Sequence, residues 1–316
     1  MMVGQKIDRG SFAIWFNSVL QTSLPDHQLV SAEPLTGGLS NRCWQVTLLH
    51  TPTLCQSTMV WRPQSRSTEA FGLSRQQEFI LLSSLSTHSC CHASLAPRAV
   101  ALLEQGLLVE WVRGHTADEH YPTDKLLQLQ AHIHSLPVPE WRLDCRERAA
   151  HYWLGITEHN KDDALCAIYH AFQHRTPILW FADTCCHHDL GGYNIILPSD
   201  PLTETDTDEW SVGQAKVIDW EYAAAGDPSL DLTLTIVANG LNREYAVNQY
   251  CLCSGVNDEQ SIARWHQAVT AWQPWCDYLA MLWFYVGAQL WPDLDYQSQA
   301  NQLKDKLHLD LQSENA

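Results

Sequence analysis

The sequence predicts an α+β protein of two lobes, a small antiparallel β-lobe over residues 1–110 and a larger, mainly helical lobe over 111–316. Three observations predict it. Strand-like apolar segments crowd the chain before residue 112. Apolar residues at helical spacing dominate afterwards. A chain of 316 residues also suits two lobes better than one compact core.

Residues 7–20 place Ile7, Phe12, Trp15, Phe16, Val19 and Leu20 at helical spacing, which predicts a helix packed on the first lobe. Strands follow over 29–35 and 43–49, around Thr36-Gly37-Gly38-Leu39-Ser40-Asn41. The glycines there admit a close backbone approach to phosphate, and Ser40 or Asn41 can donate hydrogen bonds. A plain hairpin turn explains the same glycines. Residues 58–63 read as a third strand that delivers Arg62 near its end. A helix over 72–85 sets Phe79, Leu82 and Leu85 on one face and carries Glu78. Residues 98–104 and 106–112 form a hairpin about Glu104-Gln105-Gly106.

The pattern then turns helical. Leu126, Leu129, Ile133 and Leu136 mark a helix over 123–136 that Pro137 ends. His132 and His134 read as ordinary polar residues on it. Further helices are expected over 146–159, 163–175 and 230–239, and the stretch 244–311 is helical and rich in tryptophan. Residues 198–214, rich in Asp, Glu and Thr, read as a hairpin tip.

Chemistry concentrates between 186 and 236. Cys186-His187-His188-Asp189-Leu190-Gly191-Gly192-Tyr193-Asn194 precedes an apolar run at 195–197, and Val217-Ile218 precedes Asp219-Trp220-Glu221-Tyr222. Two short buried strands, each with a carboxylate at one end, bring Asp189, Asn194 and Asp219 together if they pair antiparallel. Hard oxygen ligands of this kind suit Mg²⁺, which takes one or two carboxylates plus substrate phosphates. One Asp remains to orient a hydroxyl nucleophile.

His187-x-Asp189-x-x-x-x-Asn194, Ile218-Asp219-Trp220-Glu221-Tyr222-Ala223 and Gly226-Asp227-Pro228 resemble the aminoglycoside phosphotransferase and choline kinase superfamily, small-molecule relatives of the protein kinases. The resemblance implies a protein-kinase-like fold with ATP as co-substrate. It makes Asp189 the catalytic base and Asn194 and Asp219 the Mg²⁺ ligands. Gly37, Gly38, Ser40 and Asn41 would cover the nucleotide, Arg62 would meet its phosphates, and Glu78 would pair with Arg62. Backbone groups from Glu110 to Val112 would read the adenine edge. An exposed strand-end Arg62 and a solvated Glu78 are the bland alternatives, and Glu69 competes for Arg62. Asp231 would anchor the catalytic loop through backbone N–H groups. Tyr193 departs from the family, which usually has Gly before the Asn. Residues 35–42 and the tryptophan-rich C-terminal part look most like bacterial thiamine kinases.

A formal net charge of −17 argues against nucleic-acid or anionic-membrane partners and suits a cationic small substrate. Glu221, flanked by Trp220 and Tyr222, is expected at the cleft lip as a receptor for an organic cation, with Trp275 and Trp283 as an opposite wall. Core packing explains the same aromatics, and an ion pair with a neighbouring Arg explains Glu221. The absence of a basic stretch leading into an apolar segment at the N-terminus, and of any apolar run near membrane length, leads to the expectation of a cytoplasmic protein, monomeric or homodimeric. Eleven cysteines without zinc-finger spacing read as reduced core thiols. The expected activity is γ-phosphoryl transfer to a cationic alcohol, thiamine first, then choline or ethanolamine. An aminoglycoside phosphotransferase and a catalytically silent nucleotide-binding module are the alternatives.

Overall fold

The computed structural model describes residues 9–35, 43–87, 95–117, 121–197 and 215–314. The chain forms two compact units, one of Met1–Glu69, Leu73–His115 and Ile196–Glu221, the other of Ala70–Gly72, Thr116–Ile195 and Tyr222–Ala316. The first unit thus takes in a late segment that a contiguous 1–110 lobe leaves out.

Helix α1 (Arg9–Ser23) opens the first unit and buries Phe12, Phe16, Val19 and Leu20 on one face. Strands β1 (His27–Pro34), β2 (Trp44–His50), β3 (Cys55–Pro63), β4 (Ala99–Leu103) and β5 (Gly106–Glu110) form an antiparallel sheet in the order β1-β2-β3-β5-β4. Alternation puts Trp44, Val46 and Leu48 of β2 and Met59 and Trp61 of β3 into the core with α1. Phe12 stacks on Trp44 with ring centroids 3.8 Å apart, and Phe16 lies 5.0 Å from Trp61. Burial of each such side chain contributes about 1.5–3 kcal/mol.

Helices α2 (Arg66–Ala70) and α3 (Arg75–Thr87) follow β3. Helix α3 begins after Ser74, whose Oγ accepts from the Gln77 N–H at 3.3 Å, rather than at Gly72. Glu78, Leu81, Leu82 and Leu85 make its buried stripe. Strand β6 (His115–Thr116) follows the sheet in sequence, and β8 (Ile195–Leu197) lies beside β9 (Lys216–Val217).

The second unit is built on α4 (Thr123–His134), α5 (Cys145–Gly155), α6 (Asp163–His174), α7 (Pro228–Ala238), α8 (Arg243–Cys253), α9 (Glu259–Leu290) and α10 (Tyr296–Glu314). Its helix starts are written in the sequence. Asp144, Asp162, Asp227, Asn242 and Asp258 each cap a helix by accepting backbone N–H groups of its first turn. Leu127, Leu232, Ile236, Val247, Tyr250, Trp265 and Val269 share one core cluster. Strand β7 (Thr184–Cys186) pairs antiparallel with β10 (Ala224–Gly226), setting Cys186 opposite Ala224. No helix of the described residues is long and apolar enough to cross a membrane, and the nine described cysteines are free thiols.

Candidate active site

In the first unit, Arg62 emerges from β3, a strand paired on both sides, so its backbone is held by β2 and β5. Its side chain is buried and meets three carboxylates. Nε lies 2.8 Å from Glu78 Oε1, and one terminal nitrogen reaches both Asp219 Oδ1 and Glu221 Oε2, the latter at 3.0 Å. Arg75, in the first turn of α3, is buried too and binds Glu78 Oε2 at 2.6 Å and Glu221 Oε2 at 2.9 Å. Two guanidinium groups and three carboxylates therefore share one low-dielectric cluster. Burial alone lowers the Arg62 pKa, but Asp219, Glu78 and Glu221 outweigh it and hold the group well above its ordinary value. Burial and the nearby Asp219 raise the Glu221 pKa, against the pull of Arg62 and Arg75.

This placement corrects the reading of Glu221 as a surface receptor. Its carboxylate is buried between two arginines, and an organic cation would have to displace both. Trp220 is also core, 1% exposed, with its indole N–H donated to the Val217 carbonyl at 2.7 Å. Arg75 was missed, although Arg75-x-x-Glu78 is the spacing at which helical side chains of opposite charge meet. The Glu110 N–H is taken by the Arg98 carbonyl at 2.9 Å, so of its backbone only the carbonyl remains for a nucleotide edge. Val112 lies half-buried in the loop beyond β5. Gly37, Gly38, Ser40 and Asn41 fall outside the described residues.

In the second unit, β7 delivers Cys186 to the turn that carries His187, His188 and Asp189. His188 adopts a left-handed backbone, φ 61°, as does Asp219 in the first unit, φ 64°. Such a conformation costs a non-glycine residue about 1–2 kcal/mol and needs support from its surroundings. For His188 the support is visible. Its N–H donates to Asp231 Oδ1 at 2.6 Å, and its Nδ1–H donates to the Tyr222 carbonyl at 3.2 Å. Burial lowers the His188 pKa to about 4, so the ring is neutral at physiological pH.

Asp231, in the first turn of α7, does more than hold the His188 backbone. Its Oδ2 accepts from His134 Nε2 at 2.8 Å and from Gln130 Nε2 at 3.2 Å, and His134 Nδ1 meets the Tyr250 hydroxyl at 2.6 Å. His134 is accordingly a buried part of the loop's support and not a surface residue. Burial alone would raise the Asp231 pKa; the His134 hydrogen bond and the other donors hold it well below the usual carboxylate range. Cys186 lies near this pair, and His134, Cys186 and Asp231 have ligand atoms within 4.8 Å of one another. The thiol donates to the Gly226 carbonyl and burial pushes its pKa up, so it stays neutral beside the hydrogen-bonded His134–Asp231 pair.

Beyond His188 the loop closes on itself. The Asn194 amide nitrogen donates to the Asp189 carbonyl at 2.9 Å and to Asp189 Oδ2 at 3.1 Å. The Tyr193 hydroxyl donates to Asp189 Oδ1 at 2.7 Å. Asn239, just past α7, donates to the Leu190 carbonyl at 2.9 Å and accepts from the Gly192 N–H at 3.3 Å. The Asn194 nitrogen is committed to Asp189, which leaves its side-chain oxygen, a hard donor of the kind Mg²⁺ takes.

Trp275 and Trp283 differ. Trp275 is buried edge-on to Phe172, with centroids 5.1 Å apart, and offers no open face. Trp283 is half-buried, stacks on Phe71 at 5.0 Å and donates its indole N–H to the Tyr222 hydroxyl at 3.0 Å.

No family model matches the chain. In sequence it is similar to thiamine kinases of Salmonella paratyphi B, at 28% identity over 192 residues, and of Salmonella heidelberg, at 27%. Each match spans 61% of this chain and 64% of the relative's length. In structure it is similar to choline kinase LicA from Streptococcus pneumoniae, with a TM-score of 0.65 and 18% identity over 94% of this chain and 98% of that one. The fold is that of the choline kinases. Plasmodium vivax ethanolamine kinase matches at TM-score 0.65 and 12% identity, over 94% and 89% of the two chains. A GDP complex of aminoglycoside 2'-phosphotransferase-IIIa matches at 0.56 and 16%, over 94% and 99%. The choline-kinase fold accounts for the α+β architecture, and the chain resembles the superfamily to which its motifs pointed.

Proposed function

We propose that the protein is an ATP- and Mg²⁺-dependent small-molecule kinase that transfers the γ-phosphoryl group to a hydroxyl of a cationic alcohol, thiamine being the first candidate. The observation that carries this reading is the loop in which Asn194 fixes the Asp189 carboxylate while Asp231 holds the preceding backbone. Catalysis of this kind is mostly positioning and charge neutralisation. Asp189 accepts a hydrogen bond from the acceptor hydroxyl and takes its proton as the new O–P bond forms and ADP departs. Asn194 and Asp219 would hold Mg²⁺, which supplies neutralisation of phosphate charge when bound. Arg62, kept cationic by its carboxylates, meets the phosphates. The net charge of −17 favours a cationic acceptor.

Choline or ethanolamine is the second reading, favoured by the likeness to kinases of those alcohols. An aminoglycoside acceptor stands third. ADP release and product mass should be followed with ATP, Mg²⁺ and each of thiamine, choline, ethanolamine and kanamycin. Thiamine is expected to give a phosphorylated product at the lowest KM. Phosphorylation of kanamycin alone would move the assignment to the antibiotic kinases, and no product from any acceptor would contradict the kinase reading.

A further inference from the structure

The resemblance that identifies the catalytic loop leaves one of its residues unexplained. Tyr193 stands where the superfamily usually has glycine, and its hydroxyl donates to Asp189 Oδ1 at 2.7 Å. That is the distance and the partner a hydroxyl acceptor needs for its proton to reach a general base. The ring has a built seat. A Cβ on Gly191 would lie 2.2 Å from Tyr193 Cε1, so residue 191 must lack a side chain for the ring to lie there. The seat is also shallow, because Tyr193 is 52% exposed, and rotation of the ring into water disturbs no core packing.

We propose that Tyr193 is a specificity-determining residue. Its phenol hydroxyl stands in for the acceptor hydroxyl on Asp189 in the resting protein and yields that position only to an acceptor bound well enough to displace it. The inference rests on the kinase reading above. Its consequence concerns water. A kinase with an open general base can position water in place of an alcohol and hydrolyse ATP, and occupying the position suppresses that side reaction. The phenol is tethered, so it outcompetes a single water molecule. A bound alcohol carries further contacts and prevails over both. Asn194 continues to hold Asp189 Oδ2 throughout, so the carboxylate keeps its orientation when Tyr193 leaves.

The test compares wild type with Tyr193→Phe and Tyr193→Gly, each checked for an unchanged melting temperature. Three quantities are read: ADP release from Mg²⁺-ATP without acceptor, kcat with thiamine, and thiamine binding by calorimetry without ATP. Both variants should release ADP faster without acceptor and bind thiamine tighter, each by about 2–10-fold, the range one net hydrogen bond sets. Unchanged acceptor-free ADP release and thiamine affinity in both variants, with wild type active on thiamine, would overturn the inference and leave the kinase reading standing. So would a fall in kcat alone, since that marks a fixed support for Asp189. A wild type that releases no ADP with thiamine, choline, ethanolamine or kanamycin removes both.

Discussion

Arg62 is the residue on which the nucleotide half of the account turns, and its surroundings set the consequence of removing it. Arg62→Ala would leave Glu78 and Glu221 paired with Arg75 and take the Arg62 ion pair from Asp219. Breaking a buried ion pair from one side costs about 3–5 kcal/mol. The variant should therefore lose stability on that scale in denaturant titration and raise the KM for ATP as well. An Arg62→Ala protein of wild-type stability would show that the buried cluster contributes nothing. On the proposed assignment Asp219→Ala would remove a charged metal ligand and Asn194→Ala a neutral one, so Asp219→Ala should raise the Mg²⁺ concentration needed for half-maximal turnover more. A titration with the same Mg²⁺ dependence for both variants and wild type contradicts the metal assignment. At this scale the sequence was legible where spacing fixes geometry. Asp189 and Asn194, five residues apart, do meet in one turn. Glu221 was not legible, because two residues from Asp219 it can face either water or the cluster, and nothing local decides which. An ion pair of Glu221 with an arginine is compatible with the sequence, and the structure shows it buried between Arg62 and Arg75.

The elements that hold the Asp189 loop are β7, β10, α4 and α7, joined through Asp231 and His134. Their polar network has a pH signature. His188 titrates near its ordinary 6.5 when unfolded and at about 4 in the fold. Between those values the unfolded chain binds a proton that the folded chain refuses, so stability falls as pH falls from about 6.5 to about 4. At 1.36 kcal/mol for each pKa unit the loss is about 3 kcal/mol. Asp231, held well below the usual carboxylate range, acts in the same direction at lower pH. Urea denaturation between pH 7 and 4 should show this decline, and His188→Gln should flatten it. Equal slopes for the two proteins would remove His188 from the cause. The helices here were readable because Asp, Asn and Pro mark their starts, as in Gly226-Asp227-Pro228, where Asp227 caps α7. The pairing of β7 with β10 was not, since three-residue strands carry no periodicity and their contact spans some forty residues of chain.

At the scale of the whole molecule, the sequence conveyed the α+β class, the strand-rich start and the helical remainder, because alternation and helical spacing are local signals. It did not convey that Ile196–Glu221 packs with the first unit, because that depends on long-range contacts. The tryptophans divide the same way. Their number suggested a cation site, but burial takes Trp220 and Trp275 into the core, and composition does not distinguish a core ring from a binding one. The proposed function rests on one reaction centred on Asp189. The most direct test is ³¹P NMR of ATP, Mg²⁺ and thiamine incubated with wild type and, side by side, with Asp189→Asn. Wild type should convert thiamine to a phosphomonoester in step with ADP, and Asp189→Asn, which keeps the side chain's shape but not its basicity, should be slower by about 10²–10⁴-fold. Equal rates for the two proteins, or ADP with inorganic phosphate and no thiamine ester, would contradict it.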